Sequence, residues 1–221
     1  MKNSKRIGIL SFLLAAIGFC ACAQGVVTVK EDRITLPTYA PGGYDKTPLF
    51  YTGRVYQGAQ GRVYPYPMQD VLFDGKMDET YKYLTLENDW LQMGLLPEHG
   101  GHLLNLTDRQ TGFETFYRQH VVKPALIGML GAWISGGVEW NFPHHHRATT
   151  AMPIDWKLAA NADGSKTIWI GETELRRRLK WTIGLSMMPD RAVLRADNIF
   201  MNRGPFIESM IYWANVSVHC G

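Results

Sequence analysis

The densest chemistry of the chain lies in Ala132-Trp133-Ile134-Ser135-Gly136-Gly137-Val138-Glu139-Trp140-Asn141-Phe142-Pro143-His144-His145-His146. A carboxylate, a carboxamide and three imidazoles here follow or interleave with large aromatic rings. Sugar recognition needs this mixture, because the apolar face of a pyranose lies on a ring while its hydroxyls are read by Glu, Asn and His. On a strand, Trp140 and Phe142 would share one face and Glu139 and Asn141 the other. One set would then pack a core and the other point into a cleft. The Gly136-Gly137 pair permits backbone geometry, or a close approach, that a side chain would block.

Burying an unpaired carboxylate is expensive, so Glu139 is either a binding or catalytic group or the hub of a structural hydrogen-bond set. General acid–base work on a sugar needs two convergent groups with tuned pKa values. Glu139 with His144 and His146 are the candidates. Adjacent strand residues point in opposite directions, so at most two of the three histidines converge, and a metal site would need ligands from elsewhere. No metal and no cofactor is expected. A second cluster, Leu96-Pro97-Glu98-His99-Gly100-Gly101-His102, reads as a strand entering a tight turn that requires positive φ. Its polar residues either sit exposed at the tip or place Glu98, His99 or His102 at the rim of the same cleft.

The elements that must carry these residues are almost all strands. Alternation marks Tyr81 to Leu86 and Trp90 to Leu96, separated by the turn Glu87-Asn88-Asp89. Leu103 to Leu106 and Glu114 to Tyr117 flank Asp108-Arg109-Gln110-Thr111-Gly112, a hairpin connection. Asp155 to Ala160 and Lys166 to Gly171 are joined by the turn chemistry of Asn161-Ala162-Asp163-Gly164-Ser165. Lys180 to Met187, Ala192 to Phe200 and Ile207 to Val218 complete the series. Pro124, Gly128 and Gly131 make a loop of the one segment with some helical character. Turns at intervals of about 8–12 residues are those of an antiparallel β-sandwich or barrel. Upstream, Val26 to Val29 and Arg33 to Leu36 read as two short strands of an extended lead-in over residues 24–75, with the sandwich itself at 76–221.

The first residues are addressing rather than fold. Lys2, Lys5 and Arg6 precede an apolar run from Ile7 to Phe19, and Ala21-Cys22-Ala23 fits a signal-peptide cleavage site. The expectation is an exported protein, periplasmic or extracellular, with a leader over 1–23 and no membrane segment after its removal. A lipid anchor on Cys20 or Cys22 is the alternative. The mature chain then keeps only Cys220, so a core must hold it together without an internal disulfide. The net charge of +3 includes the leader's cations. A near-neutral domain lacks the concentrated basic surface that nucleic acid requires. The run Arg176-Arg177-Arg178 reads as a solvated, paired strand.

Three segments carry a resemblance. Leu96 to His102, then Leu106 to Glu114, then Phe116-Tyr117-Arg118 resemble the opening of aldose-epimerase-like sandwiches. Trp133, Ser135, Gly136, Gly137, Glu139, Asn141 and Phe142 match Trp-x-Ser-Gly-Gly-x-Glu-x-Asn-Phe. That pattern is similar to the signature of an uncharacterised domain family of secreted Bacteroidetes proteins, often followed by tetratricopeptide repeats. The resemblance covers roughly Tyr81 to Val218 and implies an all-β fold, the antiparallel supersandwich of the galactose mutarotase-like superfamily. It also implies a carbohydrate-binding concave face; from the residue chemistry above, the expected contacts are Trp133, Trp140, Asn141, His145, Glu98 and His102. His102 stands where the family usually has arginine. Such sandwiches usually run longer and place a general-base glutamate late in the fold. A C-terminally truncated member, lacking the repeat region, is therefore expected. Sugar-binding module, carbohydrate-active enzyme of epimerase, lyase or glycoside-hydrolase type, and architectural domain without ligand are the three readings this leaves.

Overall fold

The computed structural model describes residues 25–45, 64–127 and 131–220. The expected leader, with Cys20 and Cys22, lies outside the described residues. Two antiparallel sheets dominate. The larger runs in the order β1 (Thr28–Pro41), β2 (Leu72–Glu87), β3 (Leu91–Leu96), β4 (His102–Asp108), β7 (Val138–Asn141), β12 (Trp213–Val216). The smaller runs β11 (Leu194–Asn202), β10 (Leu179–Met187), β9 (Lys166–Thr173), β8 (Asp155–Ala160), and a short pair β5 (Ala125–Ile127) and β6 (Gly131–Trp133) stands apart. The expected all-β sandwich is the fold observed.

Strand alternation builds two apolar layers. Leu84, Leu86, Met93, Leu95, Leu103, Val138 and Trp140 face inward from the large sheet and meet Ile168, Ile170, Trp181, Ile183 and Leu185 of the small one. Each fully buried aliphatic side chain contributes about 1.5–3 kcal/mol by leaving water, so this layer supplies the stability expected without a disulfide; Cys220 is free and exposed. On the opposite, outer face of the large sheet, Leu36, Tyr83, Leu96 and Leu104 pack beneath Val122 and Ile134. The described chain around Val122 and Ile134, residues 117–127 and 131–137, is strapped over that outer face. Val122 exchanges backbone hydrogen bonds with β1 (Tyr39 N–H to Val122 O, 2.8 Å; Val122 N–H to Pro37 O, 2.9 Å). Gly137 N–H donates to Tyr117 O at 2.8 Å.

Turn chemistry behaves as read. Asn88 is buried, accepts from Trp90 and Leu91 amides through Oδ1, and donates through Nδ2 to the carbonyls of Met188 and Arg191. It thus closes the β2–β3 turn and ties it to the β10–β11 turn. Asp108 Oδ1 accepts from the amides of Gln110 and Thr111, both at 2.9 Å.

Several expected elements differ. The two upstream strands are one, β1, paired with β2 from Thr28↔Glu87 onward. Glu114 to Tyr117 is no strand; Glu114 makes a single bridge to Thr107. Residues 207–212 lie outside β12, which is confined to Trp213–Val216. Arg176 to Arg178 form a turn rather than a strand, with Arg178 at φ +58°. The cause is local, since buried Glu174 accepts from the Arg176 guanidinium at 2.5 Å and the Arg177 amide at 2.7 Å, which curls the chain. The pairing expected for the cluster does hold, with Arg177 also bridging to Glu208 at 2.6 Å.

Candidate functional site

Glu139 sits on the outer face of β7. Its register mate on β12 is Asn215, and Trp213 lies opposite Asn141, so all four side chains share that face. Leu103 pairs with Val138, and one step along His102 of β4 comes beside Glu139. A transverse row, His102–Glu139–Asn215, therefore crosses three strands. The double glycine makes this register possible. Gly137 has φ +53°, and a Cβ there would stand 1.9 Å from the Leu103 carbonyl oxygen and 3.1 Å from His102 Nε2.

The carboxylate is buried and fully engaged. Its Oε2 accepts from Trp133 Nε1 (3.0 Å), Asn141 Nδ2 (3.1 Å) and Asn215 Nδ2 (3.4 Å), and meets His146 Nδ1 at 2.8 Å. Its Oε1 accepts from Thr150 Oγ1 at 2.5 Å. Burial works against ionisation, but the hydrogen bonds from His146, Thr150 and Asn141 and the charge attraction of His146 overcome it. They hold the carboxyl at about 2. Above the carboxylate His146 is wedged between two indoles, with ring centroids 5.8 Å from Trp133 and 4.9 Å from Trp213, both edge-on. Trp133, His146, Trp213 and Asn215 are all half-buried, so the cluster opens outward through aromatic and polar edges.

The candidate residues divide sharply. Glu139, Trp133, Asn141 and His146 converge, with His102 alongside. Trp140 is instead a core residue on the inner face, 6% exposed, its indole N–H donating to Gly101 O at 3.1 Å. Sugar contact by Trp140 is thereby corrected. Glu98 is exposed and accepts from the Lys82 amide of β2 at 2.6 Å, three strands from β7 in the sheet order, so it does not join the cleft rim. The three histidines lie in a bend, not on a strand, after a cis Phe142–Pro143 bond, and His145 has φ +52°. His144 turns away toward the Ser209 backbone; burial and then the Arg177 charge lower its pKa, against the opposing hydrogen bond to Ser209, and it is no partner of Glu139. His145 packs near His144 with centroids 6.4 Å apart. Of the three, only His146 reaches the carboxylate.

Thr150, Trp213 and Asn215 complete the cluster and were not picked out from sequence, nor was Arg147. The latter is 2% exposed and satisfied on every side. It donates to Trp140 O (2.5 Å), Gly100 O (2.5 Å), Thr149 Oγ1 (2.7 Å) and Glu172 Oε1 (2.9 Å), and its guanidinium carbon lies 4.4 Å from the Trp181 ring centre. It holds the chain just beyond the histidines against the small sheet, and so fixes where His146 and Thr150 stand.

The tight turn before β4 buries two neutral imidazoles. Burial pulls His99 and His102 down to about 4, against which the charges of Glu98 and Glu139 respectively act only in part. Both folded values lie below the ordinary 6.5. The unfolded chain therefore binds protons that the folded one refuses, and stability is full above pH ~6.5 and lost as pH falls from there toward ~4. A thermal-melt series should show the midpoint already declining between those values. The variant His99→Phe, which keeps a ring against Tyr81, should flatten part of that slope. An unchanged slope would rule out His99 as a contributor.

Fold and site together define an all-β sandwich domain with a polar cluster on the outer face of its larger sheet. The chain belongs to the family described as Domain of unknown function (DUF5107), which matches residues 59–221. Among solved structures it is similar to a TPR-domain containing protein from Parabacteroides distasonis ATCC 8503, with a TM-score of 0.75 at 22% identity. That likeness covers 88% of this chain and 32% of the other, so the chain spans about a third of that protein's length.

Proposed function

We propose that this chain is the carbohydrate-binding β-sandwich of an exported protein, of the galactose mutarotase-like superfamily, and serves glycan recognition. The observation that carries this reading is the outward-opening cluster in which Trp133, His146 and Trp213 surround the Glu139 carboxylate. Half-buried rings supply apolar platforms, and Asn215 and His146 add polar groups able to read hydroxyls. Among the described residues no helix is long and apolar enough to cross a membrane.

The test is calorimetry and a glycan array on the chain, comparing wild type with Trp213→Ala. Loss of one stacking platform should weaken sugar binding about tenfold with the fold retained by circular dichroism. Absence of any glycan ligand for the wild type would end the reading. A second reading, a sugar-transforming enzyme, is favoured by the 2.8 Å contact between His146 Nδ1 and Glu139 Oε2. In it the carboxylate orients the imidazole, whose other nitrogen would exchange a proton with substrate. Polarimetry on bound sugars separates the two. Turnover lost in Glu139→Gln with affinity kept supports the enzyme, and no turnover in wild type leaves the binding module.

A further inference from the structure

The outer face of the smaller sheet lies across the sandwich from Glu139, and its rows can be read from strand to strand. Gly171 of β9 stands between Asp155 of β8 and Thr182 of β10. One flanking row is Lys157, Trp169 and Gly184, and the other is Thr173 and Lys180. Gly171 offers no side chain, and a Cβ there would stand 2.4 Å from the Trp181 carbonyl oxygen. Above this row opens a hollow of about 370 Å³, bordered by Trp169, Thr173, Lys180, Thr182 and Arg203. A second glycine lays the indole down. A Cβ on Gly184 would stand 2.6–2.9 Å from three ring carbons of Trp169, so the ring rests on bare backbone. Trp169 is half-buried, and among the described residues no ring and no cation stacks on it. Trp156, also in the lining, packs instead against the core and carries Lys82 4.7 Å over its ring.

The charges around this hollow do not cancel. Among the described residues Lys157, Lys180 and Arg203 have no ion-pair partner, and the hydroxyls of Thr173 and Thr182 make no hydrogen bond. Glu172 accepts from Arg147 at 2.9 Å, and Asp197, opposite Gly184, accepts from Arg195 at 2.9 Å. Only Asp155 remains to oppose three cations. An open indole, two unspent hydroxyls and surplus positive charge complement a sugar ring that bears an anionic group. A neutral sugar would leave the cations unanswered, and an aliphatic acid would leave the indole bare. A nucleic acid strand calls for successive aromatic platforms along a basic track, whereas this face offers one free indole on a near-neutral domain. We propose that the outer face of the smaller sheet is a second glycan site, selective for acidic sugars carrying a carboxylate or a sulfate. It goes beyond the reading above and does not depend on the Glu139 cluster.

Calorimetry at low salt tests it with oligogalacturonate and dextran sulfate, against methyl-esterified oligogalacturonate, dextran and polyacrylate. One acidic glycan should bind about tenfold tighter than its neutral form, the sum of a few exposed charge contacts, and should weaken as salt rises. Which of the two binds tells carboxylate from sulfate. Trp169→Ala should weaken that binding about tenfold, the worth of one ring contact. Lys180→Gln should weaken it about threefold; this ammonium pairs with nothing, so the variant tests the site even where Trp169→Ala does not fold. Trp213→Ala, in the other cluster, should leave it unchanged. No acidic glycan bound overturns the inference, as does polyacrylate or a single-stranded oligonucleotide binding equally well. So does a loss in Trp213→Ala with Lys180→Gln unaffected. Neutral glycans that still bind would then leave the carbohydrate reading standing, and failure of that reading alone leaves the acidic-sugar site in place.

Discussion

Glu139→Ala should lower stability by about 3–5 kcal/mol, the range for breaking a buried, charged hydrogen-bond set from one side. Five side chains lose their acceptor at once. Trp133, His146 and Asn215 are half-buried and can recruit water, but Asn141 and Thr150, at 0% and 3% exposure, cannot. At about 2–4 °C per kcal/mol for a chain of this size, the melting midpoint should fall by about 10 °C. Glu139→Gln makes the sharper control. With its amide oxygen placed where four donors converge, its nitrogen faces only Thr150, whose hydroxyl can turn and accept, so the cost should be about 1 kcal/mol. Equal losses for the two variants would mean that the donors do not depend on this acceptor. Acid behaviour gives an independent check. The carboxyl titrates at about 2 in the folded chain, below the ordinary 4.5, so its contribution is present above pH ~4.5 and disappears as pH falls toward ~2. Glu139→Gln should remove that window and leave the His99 part of the histidine window intact, while the His102 part deepens because its imidazole loses the opposing attraction of the Glu139 charge.

Arg147→Met should cost about 3–5 kcal/mol, for a related reason. Methionine fills comparable space over Trp181 but leaves the carbonyls of Gly100 and Trp140 without a donor, and Glu172 without its cation. Arg147→Lys should recover little of this. One ammonium cannot reach three acceptors spread around a planar guanidinium, nor keep the flat stacking over Trp181. Urea unfolding of the three proteins with a common m-value is the measurement, and a methionine variant within 1 kcal/mol of wild type would refute the role assigned to this strut. Because Arg147 precedes Thr150 and follows His146, both variants should also disturb the Glu139 cluster, visible as altered near-UV ellipticity of Trp133 and Trp213.

Much of the framework was legible because its signals are local. The alternation of Leu84, Leu86, Met93 and Leu95 marks an inner face, and Asp108 and the residues 161–165 mark turns. The Ser-Gly-Gly-x-Glu-x-Asn stretch was legible as a site because a carboxylate in an apolar run demands partners, and the strand alternation that separates Trp140 from Glu139 assigns the first to the core. Less legible was whatever depends on distant chain meeting in space. Asn215 and Thr150 carry no sequence mark that points to Glu139, and Arg147 looks like any surface arginine until Glu172 and two carbonyls surround it. The histidines misled for a physical reason. A bend after Pro143, with His145 in the left-handed region, replaces the strict alternation of a strand and sends His144 away while His146 returns. Likewise the β-branched and aromatic content of 207–212 suggests a strand, but Ile211 bonds the Pro143 carbonyl instead of extending β12.

The pairing of β12 with β7 has a consequence for synthesis on the ribosome. Trp213 and Asn215 reach back to Asn141 and Glu139, so the carboxylate's surroundings cannot close until the chain through Asn215 has left the exit tunnel. At a translation speed of about 5–20 residues per second, the nascent chain carries a half-dressed acidic group for several seconds. During that interval Trp133 already stands in the nascent chain while Trp213, which completes the cluster around His146, has yet to arrive.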